Sequence, residues 1–127
     1  IGDYKVTLDD FLAAREFEDS IGRGAMPAGA HTPDGITMNV YDLDPGKSMT
    51  IPYRCMLPQD VEGLVVAGRC VSYEAEVANC IRCMAQCMAM GEAAGTAAAI
   101  AVEMGTTPRK VDIKMLQTAL RNQQAII

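Results

Sequence analysis

The sequence has no Trp, only two Phe and four Tyr, and a single His at position 31. So few aromatics do not suit a large sandwich core. The Ala, Val, Ile, Leu and nine Met that supply the apolar content suit close helix packing better. Positive charge is also scarce. Eleven Lys and Arg stand against sixteen Asp and Glu, giving a net charge of −5, and the cations are scattered. Nucleic-acid binding is disfavoured, because phosphate contacts supply most of that affinity. No Walker loop and no G-x-G-x-x-G occurs, and no Ser-His-Asp set can be argued around the lone His31.

Half of the 127 residues are apolar, enough for one domain or two partial ones. The five Cys (Cys55, Cys70, Cys80, Cys83 and Cys87) are odd in number, and no leader peptide is recognisable. The expectation is reduced thiols and a cytoplasmic location. The first residues are Ile1-Gly2-Asp3 rather than Met, which suggests a segment cut from a longer chain.

Along the chain, residues 3–8 alternate and read as a short strand. Thr7 is a candidate N-cap for a short helix over 9–16, with Asp9 and Asp10 in its first turn. Residues 20–35 are rich in Gly and Pro and read as loop with one extended piece, ending in a Pro33-Asp34-Gly35 turn. Residues 36–43 alternate Ile36, Met38 and Val40 against Thr37, Asn39 and Tyr41, as a half-buried strand does. After the Asp44-Pro45-Gly46 turn, 48–57 is a second strand whose Pro52 marks an edge or bulge. The two are expected to form an antiparallel hairpin. The texture then changes. GLVVAG at 63–68 is continuously apolar, as in a strand buried on both faces of a parallel sheet. A long helix over about 79–104 is bounded by Gly105, and Asp112 caps a last helix over about 113–124 with Ile113, Leu116 and Leu120 on one face. A lone buried strand cannot satisfy its own backbone groups, so its neighbours must come from further chain or from a partner.

Several residues invite a chemical reading. A strand ending at Gly68 before a helix is where α/β folds bind ligands, since glycine permits close approach and helix amides attract electron-rich groups. The plainer reading is a βα unit with a Gly turn. Gly91, Gly95 and Ala99 recur at intervals of four and leave a smooth groove. Glu92 in the interior of 87–104, and the mildly apolar composition, argue against a membrane span. Cys80, Cys83 and Cys87 share a helix face and could bind zinc or an iron–sulfur cluster. Metal cysteines normally sit on loops, so packing as small hydrophobes is the preferred reading and no metal site is expected. Arg54, Arg69 and Arg82 lie in apolar surroundings, either to bind an anion or to pair with Asp42, Asp60, Glu74 or Glu76. His31 could act as a general base, although a lone loop His is more often idle.

The runs IPYRCMLPQDVEGLVVAGRCVS and EAEVANCIRCMAQCMAMGEAAGTAAAIAVEMG, with upstream GDY, SIGRG and the H-x-PDG turn, carry more than these physical signals. Together they resemble the C-terminal region of bacterial FAD-dependent oxidoreductases, in the superfamily of the succinate dehydrogenase flavoprotein and glutathione reductase. The likeness covers nearly the whole chain. It implies an α+β fold: the hairpin of an inserted substrate domain over 1–60, then a strand and long helix of a Rossmann-type FAD domain and a C-terminal helix over 61–127.

The resemblance also implies that FAD is the cofactor. Gly68 and Arg69 would meet its ribityl and pyrophosphate region. The helix entry Arg82, Cys83, Met84, Ala85 and Gln86 would face the pyrimidine side of the isoalloxazine, its amides stabilising negative charge near N1 and O2. Gly91 and Gly95 would pack the helix on the nucleotide-binding core. Two positions depart from the pattern. Ala75 stands where many relatives carry His, and Arg69 where many carry an acid. His31 and Arg54 are the catalytic candidates, and Tyr53 is a third residue that could face substrate. The partners implied are the remainder of the FAD domain and a small-molecule substrate, with a homo-oligomer as a further possibility. A stand-alone binding module that completes its sheet by oligomerising, and a Cys-ligated metal protein, are the competing readings.

Overall fold

The computed structural model describes residues 1–32, 35 and 38–127. Among these it is α+β, with two small antiparallel strand pairs and four α-helices. Helix α1 (Leu8–Leu12) starts where Thr7 stands. The Thr7 hydroxyl accepts from the Asp10 amide and the Asp10 carboxylate accepts from the Thr7 amide, a reciprocal capping box. The helix ends at Leu12, earlier than the expected 16, because Ala14 takes a left-handed φ of 46°. The Ala14 and Arg15 amides then close back on the Phe11 and Asp10 carbonyls.

The sheets differ from expectation. Strand β1 (Ser20–Gly24) and strand β2 (Ala28–His31) form inside the Gly/Pro-rich stretch expected as loop. Strand β3 (Met38–Tyr41) pairs back onto β2, and strand β4 (Met49–Pro52) pairs with β1. The expected hairpin of 36–43 with 48–57 is therefore not formed among the described residues, of which Ile36 and Thr37 are not part. Burial gives the reason. All four residues of β4 are buried, and it takes the buried β1 as partner, whereas β3 is exposed and belongs at the periphery. Pro52 sits opposite Ser20, next to the register break between Ser20 and Arg23, as a proline limited to edges and bulges should. The Asp44–Lys47 turn forms with Gly46 at φ 83°. Pro33 and Asp34 of the other expected turn lie outside the described residues.

The 63–68 run forms no strand. Its one ladder-like contact is the Val66 amide donating to the Met56 carbonyl at 2.8 Å. Leu64 is 46% exposed, and Val65, Val66 and Ala67 are half-buried. A strand buried on both faces needs partners along both edges, and the described residues offer only that single bond along one edge. The segment upstream of it is no free strand either. Val6 makes one parallel bridge to Tyr73, and Gly2 one antiparallel bridge to Pro58.

The expected single helix over 79–104 is two: α2 (Ala78–Ile81) and α3 (Met84–Glu103), separated at Arg82 and Cys83. Cys83 is extended at φ −65°, ψ 157°, and serves as the N-cap of α3. Helix α3 ends as expected. Gly105 sits at φ 61°, and the Gly105 and Thr106 amides return to the Val102 and Ala101 carbonyls. Helix α4 (Ile113–Asn122) is capped by the Asp112 carboxylate on the Met115 amide at 2.9 Å.

One core spans the chain. Val6, Phe11, Ile21, Ile51, Met56, Val77, Ile81, Met90, Leu116 and Leu120 are all buried in it. Met90, Ala93, Ala97 and Ala101 line the inner stripe of α3, and the alanines let the helix lie close to β1, where a Cβ on Gly22 would lie 3.2 Å from that of Ala89. Gln117 of α4 donates to the carbonyls of Glu18 and Ser20 at 2.8 and 3.0 Å. At the opposite end the Arg109 guanidinium ties the first residues down, reaching Asp3, Glu62 and the Pro58 carbonyl.

Candidate functional site

Helices α2 and α3 are separated by a break at Arg82 and Cys83. The first intrahelical bond of α3 runs from the Cys87 amide to the Cys83 carbonyl at 2.9 Å. The amides of Met84, Ala85 and Gln86 therefore have no intrahelical acceptor, and no side chain caps them. They sit at the positive end of a 20-residue helix. Asn79 braces the break, its carboxamide oxygen accepting from Arg82 Nε and Nη2 at 3.2 and 2.8 Å, and its carbonyl from the Cys83 thiol.

Gly68 stands beside this first turn. It has φ 73°, a region L side chains rarely enter, and a Cβ there would lie 3.7 Å from Cys87 Sγ. Gln86 turns inward. It is buried, its Nε2 donates to the Arg23 carbonyl at 3.4 Å, and its Oε1 has no partner among the described residues. Ala85 is exposed toward a separate groove with Met88 and Ile126.

A cleft of about 650 Å³ opens in front of the break. Its polar wall is Arg69, Asn79, Arg82 and Cys83, and its apolar wall is Met26, Pro27, Met38, Val40 and Met84. The structure thus gathers Arg69, Arg82, Cys83 and Met84 on one cleft, sets Gly68 and Gln86 behind it, and turns Ala85 away. The apolar wall was not foreseen as part of a site. The signal lay in the alternation of Met38 and Val40, expected to face the core, yet Met38 is 39% and Val40 55% exposed.

The catalytic candidates fare differently. His31 is exposed at the end of β2, directly across from Met38. Arg54 is elsewhere, in a bidentate pair with Asp19 at 2.9 and 3.2 Å and over the Tyr4 ring at 5.2 Å. It lines a different cavity, of about 370 Å³, with Arg15 and Phe17. Tyr53 is buried rather than substrate-facing. Its hydroxyl donates to the Pro108 carbonyl, and burial pushes it up to about 12.

Of the two readings of the three arginines, pairing with Asp42, Asp60, Glu74 or Glu76 is not seen among the described residues. Arg54 takes Asp19, while Arg69 and Arg82 have no carboxylate partner among the described residues. By contrast Arg15, Arg23 and Arg109 are all ion-paired. The cysteines do not gather into a metal site among the described residues. Burial pushes the Cys55 and Cys80 thiols up to about 12, which leaves them inert. No helix among the described residues is long and apolar enough to cross a membrane.

No curated protein and no solved structure matches the chain. A profile of the FAD dependent oxidoreductase family, however, matches residues 1–120, taking in both walls of the cleft and the whole α2–α3 break. The chain belongs to the family of FAD-dependent oxidoreductases.

Proposed function

We propose that this chain is the C-terminal segment of a bacterial FAD-dependent oxidoreductase and builds the ribityl and isoalloxazine side of its flavin site. Residues 1–60 close an inserted substrate domain, and 61–127 close a Rossmann-type FAD domain. The observation that carries this is the uncapped N-terminus of α3. Three amides without intrahelical or side-chain acceptors and a buried Gln86 Oε1 without a donor among the described residues, with a left-handed Gly68 beside them, fit a polar ligand edge that brings its own acceptors and donors.

FAD is the cofactor of the family, and when bound it supplies hydride acceptance. The chain's own residues would hold it. Gly68 and Arg69 offer backbone access and charge, Arg82 flanks the helix entry, and the Cys83–Gln86 turn presents donors already fixed in place. These residues fit the flavin half. Nothing in the 127 residues matches the dinucleotide fingerprint, so the ADP half would be bound by other parts of the parent protein. The segment 63–67, short of ladder partners, would add to the sheet of that domain. The five unpaired thiols suit a cytoplasmic parent.

The test compares the isolated chain with the product of its entire reading frame. The longer protein is expected to purify yellow with one FAD per chain, and the 127-residue chain colourless and without turnover. A stoichiometric yellow complex of the isolated chain would contradict the segment reading. A reading frame with no upstream G-x-G-x-x-G would favour a stand-alone oligomeric module.

A further inference from the structure

We infer that Cys80 and Cys83 form a reversible dithiol–disulfide switch, oxidised by hydrogen peroxide at the accessible Cys83 and closed by the buried Cys80, which re-aims the first turn of α3. The pair stands whatever occupies the cleft.

The two cysteines are the ends of Cys80-Ile81-Arg82-Cys83, a C-x-x-C laid across the α2–α3 break. Cys80 and Ile81 are helical, and Arg82 keeps right-handed dihedrals at φ −89°, ψ −2°, so the chain makes one turn between the two thiols. Side chains three apart on such a turn have Cβ atoms about 5–6 Å apart. A disulfide needs about 3.8 Å. The break supplies the difference, because Cys83 has already left the helix and is extended. Its thiol also points back along the chain. Cys83 Sγ donates to the Asn79 carbonyl at 3.0 Å, and that carbonyl belongs to the peptide unit that carries the Cys80 amide. Cys87 is the rival partner, its own thiol on the Arg82 carbonyl at 3.3 Å. Cys80 is favoured because it lies on the side toward which the Cys83 sulfur points. The two thiols also feel one another: after burial, the Cys83 charge is the next influence raising the Cys80 thiol.

Access sets the order of events. Cys83 lines the open cleft, whereas Cys80 is fully buried. Peroxide meets Cys83 first. The Cys83 sulfur takes one peroxide oxygen as the O–O bond breaks, giving a sulfenic acid and one water. The Cys80 sulfur then displaces that hydroxyl. The S–S bond forms, the S–O bond breaks, and the Cys80 proton leaves with the hydroxide as a second water. Burial makes Cys80 inert to solutes and so keeps it reduced until its neighbour is oxidised. A thiol reductant restores the dithiol by exchange.

Closing the bond draws Cys83 Sγ off the Asn79 carbonyl. Asn79 also orients the Arg82 fork, and Cys83 is the N-cap of α3. Oxidation therefore moves the residues that aim the free amides of Met84, Ala85 and Gln86.

The experiment treats the full-length protein with hydrogen peroxide, digests it with trypsin without reduction, and maps the peptides by mass spectrometry. Trypsin cuts after Arg82, so 70–82 and 83–109 stay joined only through a disulfide. Fragmentation should place that bond between Cys80 and Cys83, and dithiothreitol should release it. Deuterium uptake over 84–87 should change by about threefold or more on oxidation. Cys83→Ser, at a partly exposed position, should leave Cys80 a free thiol after peroxide, while Cys87→Ser and Cys70→Ser should keep the bond. A bond from Cys83 to Cys87 or Cys70 overturns the inference. So does a Cys83 that runs on to sulfinic acid with Cys80 still reduced, and so does unchanged deuterium uptake once the Cys80–Cys83 bond has formed.

Discussion

Single side chains settle several questions. Asp10 is buried, which by itself raises its carboxyl. The Thr7 amide, the Tyr4 hydroxyl and the Arg15 guanidinium outweigh that and hold it below its ordinary 3.8. A carboxyl whose folded value is depressed stabilises the fold above its unfolded value, and that stability is lost as pH falls through the folded value. Asp10→Asn should therefore lower stability at pH 7 by about 2 kcal/mol in urea unfolding, and flatten the acid limb below about pH 4. Ala14 is strained in the left-handed region at φ 46°, and Gln124 repeats the situation behind α4 at φ 67°. Ala14→Gly should raise the denaturation midpoint, by about 1 kcal/mol in stability, while Gly105→Ala should lower it by a similar amount. Caps of this kind were legible. Thr7, Gly105 and Asp112 act through local geometry that their side chains, or the lack of one, dictate. Ala14 and Gln124 were not legible, because nothing in Ala or Gln asks for positive φ.

At the scale of elements, β1 packs closely against α2, just before the α2–α3 break. A Cβ on Gly24 would lie 2.6 Å from Cys80 Sγ and 3.0 Å from the Cys80 carbonyl. Gly24→Ala should cost about 2–3 kcal/mol, measured by thermal unfolding, and should shift the helix entry it presses on. A variant as stable as the parent would show that the strand and the helix can separate freely. Which strands exist was partly legible and which pair was not. Alternation in 38–41 fixes which residues share a face and is silent about the neighbour. The pairing was decided by burial, β4 against β1 in the core and β3 against β2 outside. The break at Arg82 and Cys83 was equally hidden, since neither residue interrupts a helix by its own chemistry. The candidate site sits at that break. Likeness to a family named candidate residues around that break, whereas nothing in the sequence marked the kink that exposes the α3 amides.

For the molecule as a whole, α3 presents large apolar side chains on two sides. Met90, Ala93 and Ala97 fill the core, while Met84, Met88 and Val102 are largely exposed, with Glu92 and Glu103 also exposed. Several large apolar side chains exposed on one helix ordinarily mark a face that another element covers. The isolated chain should self-associate, and Met88→Glu with Val102→Glu should render it monodisperse in light scattering. If the chain is a segment of a longer FAD protein, as proposed, the same pair should lower that protein's stability. The composition had announced the apolar helix. The partner-less 63–68 run shows what a sequence cannot carry, because a hydrophobic stretch records that it will be covered and not by whom.

The Arg109 clasp on Asp3, Glu62 and Pro58 bears on how the chain is born. At synthesis rates of roughly 5–20 residues per second, the Asp3 carboxylate emerges some 5–20 s before the guanidinium that will fasten it. During that interval the segment around Asp3, with Val6 destined for the core, stays unfastened, and a translational pause between the codons for Asp3 and Arg109 would lengthen its exposure to chaperones and proteases alike.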